Sequence, residues 1–285
     1  MNKKRSHIEH LTQQSKSSFL YSFLLMPRKK RDAIVTVYAY CRHTDDIVDE
    51  IADKDLAQRT LDEWREELEA CYNGQPRHPI TRALNEVNQD FRLPKAYFSQ
   101  LIDGCEMDLK NVRYQTFDEL ANYCYHVACV VGLICLEIFG YRSEQSKDYA
   151  INLGMALQLT NIIRDVGEDA AIGRIYLPQE EMHRFGYSED DLHSHRYTPQ
   201  FLELMRFQAE RAHQYFAKAR SGYDHGDHYR LFPAEIMHKI YYDLLLRIES
   251  SNFRVFGDKI RVPGSKKIRI AIRKWASGQV RGVIS

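Results

Sequence analysis

The chain has 285 residues, and a 44% share of hydrophobic side chains is enough to bury a sizeable core, which argues against a disordered or fibrous protein. Only 14 glycines and 8 prolines occur, below ordinary usage, so a turn-rich all-β fold is disfavoured and long helices are expected. The 40 lysines and arginines almost cancel the 39 aspartates and glutamates, which removes any general case for nucleic acid, but residues 259–285 carry eight basic and no acidic side chains.

No proline falls between Arg28 and Gln75, and Ile34, Val35, Tyr38, Cys41, Arg42, Asp45 and Asp49 recur at three- and four-residue spacing. A helix over 29–50 is predicted, with an apolar face that turns acidic at its end. The proline-free window from Lys95 to Leu177 divides into helices over 95–110, 117–140 and 144–168. Thr116 with Glu119 forms a capping-box start for the second, and Gly140 forms its stop. Residues 170–178 read as an ordered loop, placed to act as a lid, leading to a short helix near Pro178. Residues 188–195 read as a solvated surface segment rather than a metal site of His193 and His195. Helices resume over 198–220, 233–254 and 265–276. No repeat or low-complexity tract interrupts the pattern, so the chain reads as one compact all-α domain over 1–285, with 1–14 and 277–285 expected to be flexible.

The six cysteines contain no Cys-x-x-Cys pair, and Cys124, Cys129 and Cys135 lie in an apolar stretch where buried, inert thiols are expected. A reducing cytoplasm fits them. The polar start is followed by no secretory leader, and no apolar run reaches the roughly 18 residues of a bilayer span.

Asp45 and Asp49 stand four residues apart, so their carboxylates project from one helical face about 6 Å apart, at a cost that something positive should offset. Alone, this cluster reads more simply as a solvated helix end. A second cluster changes that weighting, because Asn161, Asp165 and Asp169 repeat at i, i+4 and i+8 with Gln158 one turn earlier, among apolar Leu153, Leu157, Leu159 and Ile162. Carboxylate and amide oxygens are ligands for hard cations, and Mg²⁺ takes one or two carboxylates while leaving its other positions to water and phosphate. Arg42 and Arg164 accompany the clusters, and guanidinium forks match phosphate geometry. Metal with arginine is the arrangement that stabilises a departing anion. Residues 123–134 are apolar and aromatic, and Gly132 and Gly154 allow close helix approach or leave room for a ligand. Most of these residues are expected to be core, yet an acidic mouth on a greasy, tyrosine-lined cavity suits a prenyl diphosphate, whose carbocation aromatic faces stabilise.

Three blocks in this order, Tyr38-Ala39-Tyr40-Cys41-Arg42 with Asp45-Asp46-x-x-Asp49, Tyr123-Cys124-Tyr125-x-Val127-Ala128-x-x-x-Gly132, and residues 157–169 with Gly173-Arg174-Ile175-Tyr176-Leu177-Pro178, resemble the squalene/phytoene synthase family of head-to-head prenyltransferases. The resemblance runs from about Ser17 to Lys267. It implies an all-α isoprenoid synthase-type helical bundle around a central cavity. It further implies Mg²⁺ on Asp45, Asp49, Asn161 and Asp165, with Asp169 as a further participant. Tyr38, Arg42, Gln158, Arg164 and Tyr241 match positions that contact diphosphate or substrate, as does the stretch Ser17, Ser18 and Phe19. Tyr123 matches a tyrosine that assists proton transfer, with the released diphosphate a rival base, and with Arg164 it makes up the implied catalytic set.

Many members read Ser-Lys-Ser-Phe where this chain has Lys16-Ser17-Ser18-Phe19, a departure that resembles bacterial presqualene diphosphate synthases. The expected reaction is therefore condensation of two farnesyl diphosphates to presqualene diphosphate, continuing to squalene only with NADPH. A phytoene synthase using geranylgeranyl diphosphate and a dehydrosqualene synthase are the alternatives. A terpene cyclase or a non-catalytic relative fits the motifs less well. Finally, Ile268, Ala271, Ile272 and Trp275 fall at i, i+3, i+4 and i+7 among Lys266, Lys267, Arg269, Arg273 and Lys274. That pattern suits peripheral contact with the inner face of the plasma membrane, although a solvated basic terminus is the plainer reading.

Overall fold

The structure is a computed structural model that describes residues 22–23, 25–110, 113–222, 225–227 and 229–282. The expected stretch Ser17, Ser18 and Phe19, and the first 14 residues, lie outside the described residues. Helix α1, Arg28–Glu50, realises the first predicted element and buries Ala33, Ile34, Val37, Tyr40, Thr44, Ile47 and Val48. Helices α2, Lys54–Tyr72, and α3, Pro79–Phe91, follow in a region left unassigned above. Each has its own start signal: the Asp53 carboxylate accepts from the Asp55 and Leu56 amides, and His78 accepts from the Ile80 amide with Pro79 at the first helical position.

The buried Glu67 ties α2 to the start of α3. Its carboxylate accepts from the Arg77 amide at 2.7 Å, the His78 amide at 2.9 Å, the Thr81 hydroxyl at 2.5 Å and Arg77 Nε at 3.0 Å. Burial opposes its ionisation, but these donors prevail and its pKa falls to about 2. Because the folded value lies below the unfolded one, Glu67 contributes stability above about pH 4, and that contribution is lost as pH falls through about 2, on the order of 3 kcal/mol in all. Denaturant unfolding of the native chain and of Glu67→Gln between pH 2 and 7 is expected to show this acid-side slope in the native chain and its loss in the variant.

Helix α4, Lys95–Lys110, matches the predicted bounds. The segment predicted as one helix over 117–140 is three pieces: α5, Phe117–Cys124, a single π-helical turn, Tyr125–Cys129, and α6, Val130–Phe139. Thr116 accepts from the Glu119 amide as expected, while the Glu119 carboxylate reaches back to Gln115 rather than to Thr116. Gly140 closes the segment at φ +75°, a region glycine enters without strain. Contrary to the reading that nothing is long and apolar enough to cross a bilayer, 117–139 is so by length and composition; it is half buried within the bundle, against α4 and the next helix.

That next helix, α7, Gln145–Ala171, is the centre of the fold and is buried on nearly every side. Its start is held by the fully buried Asp227, which accepts from the Arg142 and Ser143 amides and the Ser146 hydroxyl. Around α7 pack α6, the π turn, α10, Pro199–Ser221, and α11, Phe232–Ser250. Between α7 and α10 lie α8, Gln179–Phe185, and α9, Glu189–His193. Residues 188–195 are largely exposed, as expected, but ordered: Ser188 and Asp191 form a reciprocal capping box and Leu192 alone is fully buried. His193 and His195 are exposed and belong to no metal-holding group among the described residues; nor are the carboxylates of α1 and α7 gathered round one point, several being drawn to an arginine or lysine instead. The last helix, α12, Gly264–Gly282, packs on α11 and continues past the predicted end at Ala276. No strand occurs among the described residues, only one isolated parallel bridge between Arg113 and Ile175.

Candidate active site

The acidic end of α1, the second half of α7 and the end of α4 converge. Asp45 and Asp49 come from α1, Asp165 and Asp169 from α7, and Asp108 from α4, and their charges act on one another. Burial first and the Asp165 charge second push Asp169 up to about 7, against the pull of Lys259 and Arg174. Burial and then Asp49 push Asp45 up to about 6, against Arg42; half of the Asp45 side chain still meets solvent, so screening makes this the softer of the two shifts. Burial also raises Asp108. Asp165 differs: burial opposes its ionisation too, but Arg164 and Lys259 overcome it and its pKa is lowered.

Basic side chains stand against most of these carboxylates. Arg42 lies 3.5 Å from Asp45 and 2.5 Å from Asp46, and Arg174 lies 2.9 Å from Asp49. Arg164 pairs with the adjacent Asp165, which Lys259 also meets at 2.9 Å, and Lys259 reaches Glu168 at 2.6 Å. The predicted lid is thereby pinned. Gly173 turns at φ +84°, Arg174 spans to α1, and Arg113 donates to the Gly173 carbonyl, leaving Ile172 exposed at 65%.

Below the carboxylates, Asp108 accepts from two phenols, Tyr123 at 2.9 Å and Tyr176 at 2.8 Å, and those hydroxyls are 3.3 Å apart. Their rings stack with a centroid separation of 5.1 Å, and Tyr114 lies against both. Burial, then Asp108, hold the Tyr123 hydroxyl well above its ordinary pKa, so it stays protonated at any working pH.

About one helical turn along from Tyr123, at Val127 and Ala128, opens a cavity of about 210 Å³, or about 900 Å³ when the open solvent at its mouth is counted. Its walls are apolar, among them Phe23, Val131, Leu153, Leu157 and Met237, and Gln158, Asn161 and Tyr241 supply polar atoms. The amide oxygen of Asn161 is buried with no hydrogen-bond partner among the described residues. Tyr241 is buried beside Arg164 and Asn161, and Tyr38 is half buried on α1 close enough to act on Arg42. The glycines serve close approach: a Cβ on Gly154 would lie 2.7 Å from the Cys129 Cα, and one on Gly132 would lie 3.0 Å from the Ala150 carbonyl oxygen. The π turn adds a residue where α7 approaches most closely, a feature frequent at functional sites.

Of the predicted site residues, Gln158, Asn161 and Tyr241 line the cavity and Arg164 lies beside Tyr241, whereas Asp45, Asp49, Asp165, Asp169 and Arg42 belong to the charged cluster, Tyr38 stands by Arg42, and Tyr123 belongs to the phenol network on Asp108. Sequence reasoning missed Asp108, Lys259 and the roles of Arg174 and Tyr176. The last two stood inside a quoted motif, and Asp108 lies one helical turn after Gly104 on a helix with a buried face, a signal open to reading. Asp165, whose pKa Arg164 and Lys259 lower, stands one helical turn from the orphaned Asn161 amide oxygen, and the pair are hard-oxygen donors of the kind Mg²⁺ takes.

An all-helical bundle enclosing an apolar cavity with an acidic, arginine-flanked mouth is the architecture of an isoprenoid synthase. The chain belongs to the squalene/phytoene synthase family, whose model matches residues 12–267. It is 38% identical over 282 residues to a 15-cis-phytoene synthase of Synechocystis, covering 95% of this chain and 84% of that protein. To a phytoene synthase of Arthrospira platensis it is 40% identical, covering 90% and 88%. Among solved structures it is similar to a dehydrosqualene synthase bound to a ligand, at 29% identity and TM-score 0.85 over 98% of this chain and 97% of that one. Squalene synthase HpnC from Alicyclobacillus acidocaldarius gives 28% identity and TM-score 0.79 over 88% and 94%.

Proposed function

We propose that this chain joins two geranylgeranyl diphosphates head to head to give phytoene. The observation that carries this reading is identity of 38–40% with phytoene synthases along nearly the whole chain. The farnesyl expectation rested on one departure, at Ser17, and gives way to similarity spread over more than 270 residues. A C15 reaction remains the second reading, favoured by the structural likeness to a dehydrosqualene synthase.

Asp45, Asp49, Asn161, Asp165 and Asp169 would hold Mg²⁺, which when bound neutralises the diphosphate as its bond to carbon breaks. Arg42, Arg164, Arg174 and Lys259 surround the same mouth and would bind the diphosphate oxygens, while Tyr38, Gln158 and Tyr241 would orient the allylic ends. The apolar walls hold the chains and exclude water from the cation. Joining the heads forms carbon–carbon bonds, breaks two carbon–oxygen bonds and releases two diphosphates and two protons, so no hydride and no nicotinamide enter the balance. Tyr123, protonated as it is, cannot abstract a proton as a phenolate. It can pass one along its hydroxyl toward Asp108, or leave that step to the departing diphosphate. Steady-state diphosphate release is expected to give kcat/KM at least tenfold higher for geranylgeranyl than for farnesyl diphosphate; parity or the reverse order would overturn the C20 assignment.

A further inference from the structure

Helix α12 runs antiparallel along α11: Lys266 near its start pairs with Asp243, and Lys274 pairs at 2.8 Å with Glu235, eight residues earlier on α11. Ile270 and Ala271 are buried at this seam, which corrects the predicted stripe by removing Ala271 from the outer face. Ile268, Ile272 and Trp275 remain outward at i, i+4 and i+7, exposed at 47%, 54% and 37%. Exposed Arg269 and Arg273 flank the stripe, Arg261 precedes the helix, and no acidic residue occurs in 259–285. No ion pair engages these three arginines among the described residues.

The partner of α11 on its other side is the cavity, lined by Pro233, Ala234, Met237 and Tyr241. Glu235, the anchor for Lys274, also accepts from the hydroxyl of Tyr149, another cavity residue. The helix α12 therefore lies along the outside of the apolar cavity, separated from it by one helix, about 10 Å across.

We infer that α12 docks this protein on an anionic lipid bilayer, with Ile268, Ile272 and Trp275 entering the acyl boundary and Arg261, Arg269 and Arg273 meeting lipid phosphates. Charge selects this occupant. A two-fold pairing of the same face between copies of the chain would set Arg269 and Arg273 against their own equivalents, whereas an anionic surface complements them. The salt bridges to Asp243 and Glu235 keep the helix seated while its outer stripe inserts, which brings the cavity wall to the membrane surface.

Co-sedimentation of the full chain with vesicles of phosphatidylcholine, alone or with about one third phosphatidylglycerol, tests this. Binding is expected only to the anionic vesicles and is expected to weaken with salt. It should fall about tenfold or more in Ile272→Glu/Trp275→Glu and by about fivefold for each charge removed in Arg269→Gln/Arg273→Gln. Brominated lipids provide a readout that needs no variant: Trp64, the other tryptophan, is buried, so quenching reports insertion of Trp275. Absence of binding and quenching by the full chain overturns the inference, as does undiminished binding by the folded variants. Sedimentation equilibrium showing self-association that the Glu variant abolishes, with no vesicle binding, would assign the face to a second copy instead.

Discussion

Asp49→Ala and Asp165→Asn are each expected to lower kcat about 10³-fold with geranylgeranyl diphosphate at saturating Mg²⁺. Stabilisation of developing anionic charge by a bound cation is worth several kcal/mol, and each 1.4 kcal/mol is a factor of ten in rate. The two carboxylates come from different helices and face the same mouth, so losing either leaves the opposite helix without its counterpart. Stability should move differently. Asp49 repels Asp45, and its pairing with Arg174 is partly exposed, so Asp49→Ala is expected to unfold at the same temperature as the native chain or slightly above it. Asp165→Asn retains the side-chain shape beside Arg164 and Lys259, which avoids collapsing the site. Single-turnover diphosphate release with melting curves separates the two quantities; full turnover by either folded variant would remove both residues from the metal assignment.

Asp108→Asn is expected to cost about 10²-fold in kcat with little change in KM, at the lower end of what acid–base groups contribute. The native carboxylate accepts from both phenols, whereas an amide offers one accepting oxygen and turns donors toward the second hydroxyl. Tyr123 and Tyr176 would then lose the shared acceptor that fixes their orientation. Since Asp108 acts through Tyr123, the double variant Asp108→Asn/Tyr123→Phe should be no slower than the worse single variant, the non-additivity of residues that work as a unit. Additive losses would instead place Asp108 among the cation ligands, and an unimpaired Asp108→Asn would dismiss the relay.

Periodicity made α1 and α4 readable because each lies in a proline-free window and carries an apolar face, while α7, buried on nearly every side, was readable from its proline-free length and the polar stripe of Gln158, Asn161, Asp165 and Asp169. Helix α2 carried the same information, with Ala57, Leu61, Trp64, Leu68 and Cys71 at helical spacing, but its many charged residues obscured the stripe. The π turn left no such trace, since it depends on how closely Gly154 brings α7 to Cys129, a tertiary contact. Paired acids at i and i+4 revealed two sides of the site. The third, Asp108, is a lone acid near a helix end and gains meaning only when Tyr123 and Tyr176, 15 and 68 residues away, arrive beside it. In α12 the pattern gave an amphipathic helix but not its docked side, because Ala271 is small enough for either face and the lysine pairings to α11 decide which is covered.

Product identity tests the central claim most directly. Purified protein supplied with geranylgeranyl diphosphate and Mg²⁺, without any nicotinamide, is expected to yield a C40 hydrocarbon with the mass and spectrum of phytoene and two diphosphates per molecule formed. Release of diphosphate without a C40 product, or head-to-head product from farnesyl diphosphate alone, would contradict it.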